Sequence, residues 1–143
     1  MRFMIMVKAT KDTESGKFPE NAEKLFEAME VYHNELVKAG VLLDASGLQP
    51  SSKGWKVKYR GDKRSVVDGP FTESKELIAG YTIIQTKTRE EALEWTKRFP
   101  KPHFDEVCEI EVRQLYELED FAEIEAAKGS LDKFREMDAA RKH

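Results

Sequence analysis

The chain has 143 residues, a formal net charge of −3, and 40% hydrophobic against 36% charged side chains. That is the composition of one folded, soluble domain with a real core and not of a disordered chain. Lys and Arg are dispersed among Asp and Glu, so no basic face of the kind that holds nucleic acid is expected. No apolar run approaches the ~20 residues of a membrane span, so no membrane partner is expected either. The apolar stretch at the start is too short for a signal peptide and lacks a small-residue cleavage site, which makes the cytoplasm the expected compartment. Cys108 is the one cysteine, which excludes an internal disulfide and a cysteine-held zinc. His33, His103 and His143 share no metal-ligand spacing, and no Gly-rich phosphate loop or Ser-His-Asp order occurs. No metal or cofactor is expected.

Residues 2–10 alternate, with Phe3, Ile5, Val7 and Ala9 on one face and Met4, Met6 and Lys8 on the other, which predicts a strand. Residues 11–18 are polar, contain Ser15-Gly16 and read as a loop. Pro19 suits a first helical turn. Ala22, Leu25, Phe26, Met29, Tyr32, Leu36 and Val37 then recur at helical spacing up to Ala39, and Gly40 is a natural stop. Residues 41–43 open a second strand that reaches a loop at 47–54. Residues 55–59 alternate strictly, Gly61-Asp62 supplies a turn, and residues 64–67 return as the second arm of a β-hairpin.

Residues 78–86 form the next strand, with Gly80 allowing a close approach of backbone or ligand. Thr88 and Glu91 read as a capping box for a helix that ends at Pro100 and Pro102. Residues 107–116 are the last strand, with Cys108, Ile110 and Val112 inward and Glu109, Glu111 and Arg113 outward. The order is β-α-β, hairpin, β-α-β. This is an α+β chain with a ferredoxin-like split βαβ core and an inserted hairpin. Residues 118–143 add a C-terminal amphipathic helix to a domain at 1–117, and a break at Gly129 is plausible because glycine weakens a helix interior. Both core helices should share one sheet face. The other, partly apolar face calls for a second copy of the chain, hence a homodimer.

Between the hairpin and the fifth strand stands Asp68-Gly69-Pro70-Phe71-Thr72-Glu73-Ser74-Lys75-Glu76. Gly69 tolerates unusual backbone angles, Pro70 fixes its own φ and donates no N–H, and Asp68 can cap the turn it opens. The run is a rigid corner, with Phe71 free to plug the core beside it. It also resembles the DGPF motif of the YCII-related family. Ala39–Leu43, Gly47–Pro50, Gly80-Tyr81 and the helix at 90–95 resemble that family's other segments over roughly the first 117 residues. The resemblance implies a dimeric α/β-barrel fold, with two ferredoxin-like protomers paired sheet to sheet. It also implies a genetic context near extracytoplasmic-function sigma factors. Smaller YciI-type relatives carry a helix histidine proposed for acid/base work, which aligns nearer Met29 than His33.

The candidate catalytic residues are His33, Asp68 and Tyr81. His33 titrates in a useful range, although a helix His on a core-facing stripe is ordinarily a hydrogen-bonded packing residue. Asp68 is a base or a turn cap. Tyr81, beside Gly80, offers a hydroxyl or simply packs. Lys8, Asp44, Lys75, Glu109 and Arg113 are candidate ligand-binding residues. Asp44 is placed to orient His33, and the outward charges of the last strand are placed to line a cleft with Lys8. Two functions fit: a cofactor-independent acid/base enzyme acting on an unknown small molecule at the sheet face, or a non-catalytic module that binds a ligand or a regulatory protein.

Overall fold

A computed structural model of the chain describes residues 1–18, 20–103 and 108–141; Pro19, Val107 and His143 fall outside them. In chain order the strands are Arg2–Lys8 (β1), Leu42–Gly47 (β2), Trp55–Arg60 (β3), Lys63–Asp68 (β4), Ile78–Gln85 (β5) and Ile110–Gln114 (β6). The helices are Lys11–Ser15 (α1), Ala22–Lys38 (α2), Arg89–Lys97 (α3), Glu125–Lys128 (α4) and Leu131–Arg141 (α5). The chain is thus α+β. Four strands form one antiparallel sheet in the order β2-β5-β1-β6, and β3 and β4 form a separate two-stranded sheet.

The alternation of β1 and β5 decides which sheet face the helices cover. Phe3, Ile5, Thr82 and Ile84 are buried, while Met4, Met6, Tyr81 and Ile83 are only half-buried. Strand side chains alternate between faces, so the first set marks the helix side and the second the outer side. On the helix side Tyr32 and Leu36 of α2 and Ala92 of α3 join Phe3, Ile5, Val41 and Ile84 in the core, with Trp95, Ile110 and Val112 packed against it. Tyr32 donates its hydroxyl to the Trp95 carbonyl at 2.7 Å. Its burial pushes the phenol pKa up to about 12, so the group that ties α2 to α3 stays protonated well into alkali.

Three expectations need correction. Residues 11–15 form a helix, where a loop was expected. Thr10 accepts from the Thr13 N–H and Thr13 Oγ1 accepts from the Thr10 N–H, Asp12 and Glu14 sit in the first turn, and Gly16 closes the helix at φ 72°. The reciprocal cap uses Thr where Glu or Gln is the usual signal, which hides it in the sequence. At Thr88 only half of the expected box forms: Thr88 Oγ1 accepts from the Glu91 N–H, but the Glu91 carboxylate takes the Lys87 N–H instead. The expected single C-terminal helix is three short pieces, a 3-10 turn at Leu118–Phe121, then α4 and α5, with the break at Gly129 where α4 ends. Arg2 anchors this extension, donating to the Glu117 carboxylate and the Tyr116 carbonyl.

The hairpin forms as the sequence predicts, with Arg60 opposite Lys63 across Gly61-Asp62. Its base is locked by the corner that follows. The Gly69 N–H donates to the Gly54 carbonyl at 2.9 Å, and the Phe71 N–H donates to Ser51 Oγ at 2.9 Å. The Ser51 hydroxyl donates to the Glu14 carboxylate, which also accepts the Ser51 N–H at 3.1 Å. A Cβ at Gly69 would lie 1.8 Å from the Ser51 carbonyl oxygen, so only glycine fits there. The corner does not use the Asp68 carboxylate as a cap; that group has no partner among the described residues. Phe71 is half-buried, with the Lys56 ammonium 4.3 Å from its ring centroid.

Gly69→Ala should therefore cost roughly 2–3 kcal/mol in urea unfolding, because backbone would have to move. Gly47→Ala, with nothing within 4 Å of the added carbon, should cost much less. Equal losses would mean that the Gly69–Ser51 approach does not hold the corner.

Candidate functional site

A cavity of about 960 Å³ opens on the helix side, bounded by α1, α2, the segment joining β2 to β3, and β5. Its walls are mainly apolar, including Phe18, Leu25, Phe26, Met29, Leu48 and Phe99; His33, Thr82 and His103 are polar groups among them, and Asp12, Lys17, Glu30 and Lys53 also line it. Phe18 and Phe26 meet edge to face at 5.3 Å between centroids and remain more than half exposed. Where β2 pairs with β5, Gly47 lies opposite Gly80. A Cβ at Gly80 would come within 3.1 Å of the Ser46 carbonyl. The glycine thus lets two strands approach and leaves bare backbone in the cavity wall.

Both ring nitrogens of His33 are engaged. Nδ1 is 2.7 Å from the Met29 carbonyl, and Nε2 is 2.8 Å from Thr82 Oγ1. A carbonyl only accepts, so Nδ1 carries the proton. In the neutral ring, Nε2 then accepts from the buried Thr82 hydroxyl. His103 differs. Its Nε2 lies 3.0 Å from the Lys8 carbonyl, so Nε2 is the protonated nitrogen and Nδ1 holds the lone pair. No hydrogen bond to that Nδ1 occurs among the described residues. Sequence reasoning passed over His103 and Thr82. Thr82 could have been found from its place two residues beyond Gly80 on the same strand face. His103 carries only the weak signal of following a Pro-Lys-Pro helix stop.

The outer face holds a second constellation. Tyr81 donates its hydroxyl to Asp44 Oδ2 at 2.9 Å. Across the sheet, Lys8 Nζ lies 2.9 Å from Glu111 Oε1, and Arg113 Nη1 lies 3.5 Å from Glu111 Oε2. Met4, Met6 and Ile83 occupy the register between them. Lys8 thus meets Glu111 and, through it, Arg113 of β6 on this face. The three catalytic candidates, however, are not together. His33 lies on the helix side, Tyr81 directs its hydroxyl to the outer face, and Asp68 is exposed at the hairpin base opposite Trp55. Asp44 does not orient His33, because it belongs to the outer face and serves Tyr81. Lys75 is exposed in the 3-10 turn Ser74–Glu76, and Glu109 is exposed just before β6.

Among the described residues no three His, Cys, Asp or Glu side chains converge as a metal site, and no helix is long and apolar enough to cross a membrane.

The Lys8 hydrogen bond, and then the Lys8 charge, hold the Glu111 carboxyl below the usual carboxylate range, with a smaller contribution from Arg113. A carboxylate with a depressed folded pKa stabilises the fold above its unfolded value, and that contribution is lost as pH falls through the folded value. Lys8→Met should raise the Glu111 pKa toward 4.5, its ordinary value, in a carboxyl carbon NMR titration. The stability difference between the two proteins should shrink in acid. An unmoved Glu111 titration would show that the pair is not formed in solution.

Residues 1–116 match the YCII-related domain. An uncharacterised protein of Rhizobium meliloti (strain 1021) is 27% identical over 78 residues, 54% of this chain and 63% of that protein. The chain thus spans a little under two thirds of that relative's length. Among solved structures, a 5-chloro-2-hydroxyhydroquinone dehydrochlorinase from Burkholderia phenoliruptrix AC1100, in complex with 2,5-dihydroxybenzoquinone, is similar over 81% of this chain and 94% of that one. The likeness has 13% identity and a TM-score of 0.42. With the family match spanning four strands of sheet, both core helices and the Asp68–Phe71 corner, the chain belongs to the YCII-related family.

Proposed function

We propose that the helix-side cavity binds a small, largely apolar molecule with an acidic hydroxyl, and that His103 takes up its proton without a cofactor. The observation that carries this reading is the Nδ1 of His103, which has no hydrogen-bond partner among the described residues, in a cavity whose walls are mainly apolar. A general base needs a free lone pair within reach of the proton it removes. The proton would pass from the ligand hydroxyl to Nδ1, and the resulting imidazolium would keep its Nε2–H on the Lys8 carbonyl. His33 has no free nitrogen, so its part is to hold the Thr82 hydroxyl, whose oxygen can still accept a hydrogen bond from a ligand. That full engagement also favours a second reading, a non-catalytic cavity that only binds.

Phenol is a suitable probe. In titrations followed by amide and side-chain NMR, the largest shifts should fall on His103, Thr82 and Phe99, and His103→Ala should weaken binding about tenfold. Shifts centred on Met6, Glu111 and Arg113 would instead place the ligand on the outer face and defeat the cavity reading.

We also infer a homodimer. The sheet order, with both core helices on one side, suits a ferredoxin-like protomer. Two such sheets pressed together would make the dimeric α/β-barrel. Half-buried Met4, Met6 and Ile83 support the outer face as the contact, since no core helix packs there. Tyr81–Asp44 and Lys8–Glu111–Arg113 would then line the gap between sheets. The free Cys108 and the absence of any possible internal disulfide suit a reducing cytoplasm. Sedimentation should show a dimer at micromolar concentration, and Met6→Glu should give a folded monomer, because a lone charge is costly to bury there. A monomeric parent protein would remove this reading.

A further inference from the structure

Gly47 is a glycine without a local reason. Gly16, Gly40 and Gly61 have the positive φ that favours glycine, and Gly47 does not. A Cβ added at Gly47 would meet nothing within 4 Å, so no close packing calls for glycine either. The irregularity in the β2–β5 ladder falls between Leu42 and Asp44, away from Gly47. Its ladder partner Gly80 does have a reason, because the Ser46 carbonyl would stand 3.1 Å from its Cβ. Glycine weakens a strand. Its remaining use there, once bulges, bends and backbone contacts are set aside, is to let a ligand come close.

The position of Gly47 agrees with that use. Val7 of β1 lies opposite Gly80 of β5, and Gly80 lies opposite Gly47 of β2, so the three form one row across three strands. All three line the cavity. Residues directly opposite in an antiparallel pair share a face and stand about 5 Å apart, so the row runs about 10 Å from Val7 to Gly47. His103 stands at the Val7 end, held by the carbonyl of the next residue, Lys8. With no side chain at Gly80 or Gly47, the rest of the row is bare backbone on which a flat ring can lie. A single phenol ring held at His103 covers only the first interval. The volume of about 960 Å³ also lies at the upper end of the roughly 300–1,000 Å³ that drug-sized ligands occupy.

We propose that the ligand is a flat, two-ring aromatic alcohol laid across the strands, with its hydroxyl at His103 and its far ring over Gly47. Gly47 then sets the length that the site accepts and takes no part in proton transfer. This rests on the cavity reading above and adds to it the length and planarity of the ligand.

The probes are phenol and 2-naphthol, titrated by calorimetry against the full-length parent, Gly47→Leu and Gly47→Ala, with side-chain NMR to locate them. Both probes should shift His103 and Thr82 in the parent. A side chain at position 47 meets no clash, so both variants should keep the parent's circular dichroism. Gly47→Leu fills the far end of the row. The affinity for 2-naphthol should fall at least about tenfold, whereas that for phenol, which stops short of Gly47, should change about twofold at most. Gly47→Ala is the gentler change should Leu disturb the edge strand, and it should move the ratio of the two affinities about threefold in the same direction. A ratio that neither variant moves, or equal losses for both probes, would overturn the two-ring slot and leave the cavity reading standing. Probes that fail to shift His103 or Thr82 in the parent would overturn both.

Discussion

The approach of Gly69 to the Ser51 carbonyl is the constraint on which the functional half of the molecule depends. At 1.8 Å from that oxygen to a hypothetical Cβ, no other residue type fits without backbone movement. From this contact three hydrogen-bonded links spread: Gly69 to Gly54 at the hairpin base, Phe71 to Ser51, and Ser51 to Glu14 of α1. The first sets where the hairpin leaves the domain. The last fixes α1 and the Pro50–Lys53 turn as two walls of one cavity. The Asp-Gly-Pro-Phe run therefore acts through its backbone. Its carboxylate, the most obvious chemical group in the run, takes no part in the bracket.

A second constraint is the two-residue period of β5. It sends Thr82 to the helices and Tyr81 to the outer face, and so divides the polar groups into two sets that cannot meet one ligand through the sheet. On one side stand His33, Thr82 and His103 in a mainly apolar cavity. On the other stand Tyr81–Asp44 and the Lys8–Glu111–Arg113 cluster, half-exposed and mutually paired. Exposed ion pairs add little stability, so the outer set is better suited to lining a surface than to holding the fold.

Much of the fold was legible because periodicity is a local signal. The alternation at Phe3, Ile5 and Val7, the helical stripe through Tyr32 and Leu36, and the Gly61-Asp62 turn each announce an element within a few residues. The helix α1 was not legible, since its cap pairs Thr10 with Thr13 and its acids look like loop residues. The C-terminal spacing suggested one helix with a weak point at Gly129, and the break falls there; among the described apolar residues of the stretch Leu131 alone is buried, too few to hold the pieces in one helix. The site was harder to read. That His33 is a satisfied packing group depends on the Met29 carbonyl and on Thr82, 49 residues away. That His103 commits its Nε2 to a backbone carbonyl depends on Lys8, 95 residues away. Hydrogen-bond partners at such separations leave no mark on either residue's sequence neighbourhood.

The Pro50–Lys53 turn stands between the cavity and the base of the hairpin. Pro50, Ser52 and Lys53 line the cavity, while Ser51 between them faces Gly69 and Phe71 under the hairpin. One side of this four-residue segment therefore faces the cavity and the other braces the base of the hairpin. The segment has little room to move independently, because Glu14 holds the Ser51 N–H and hydroxyl together.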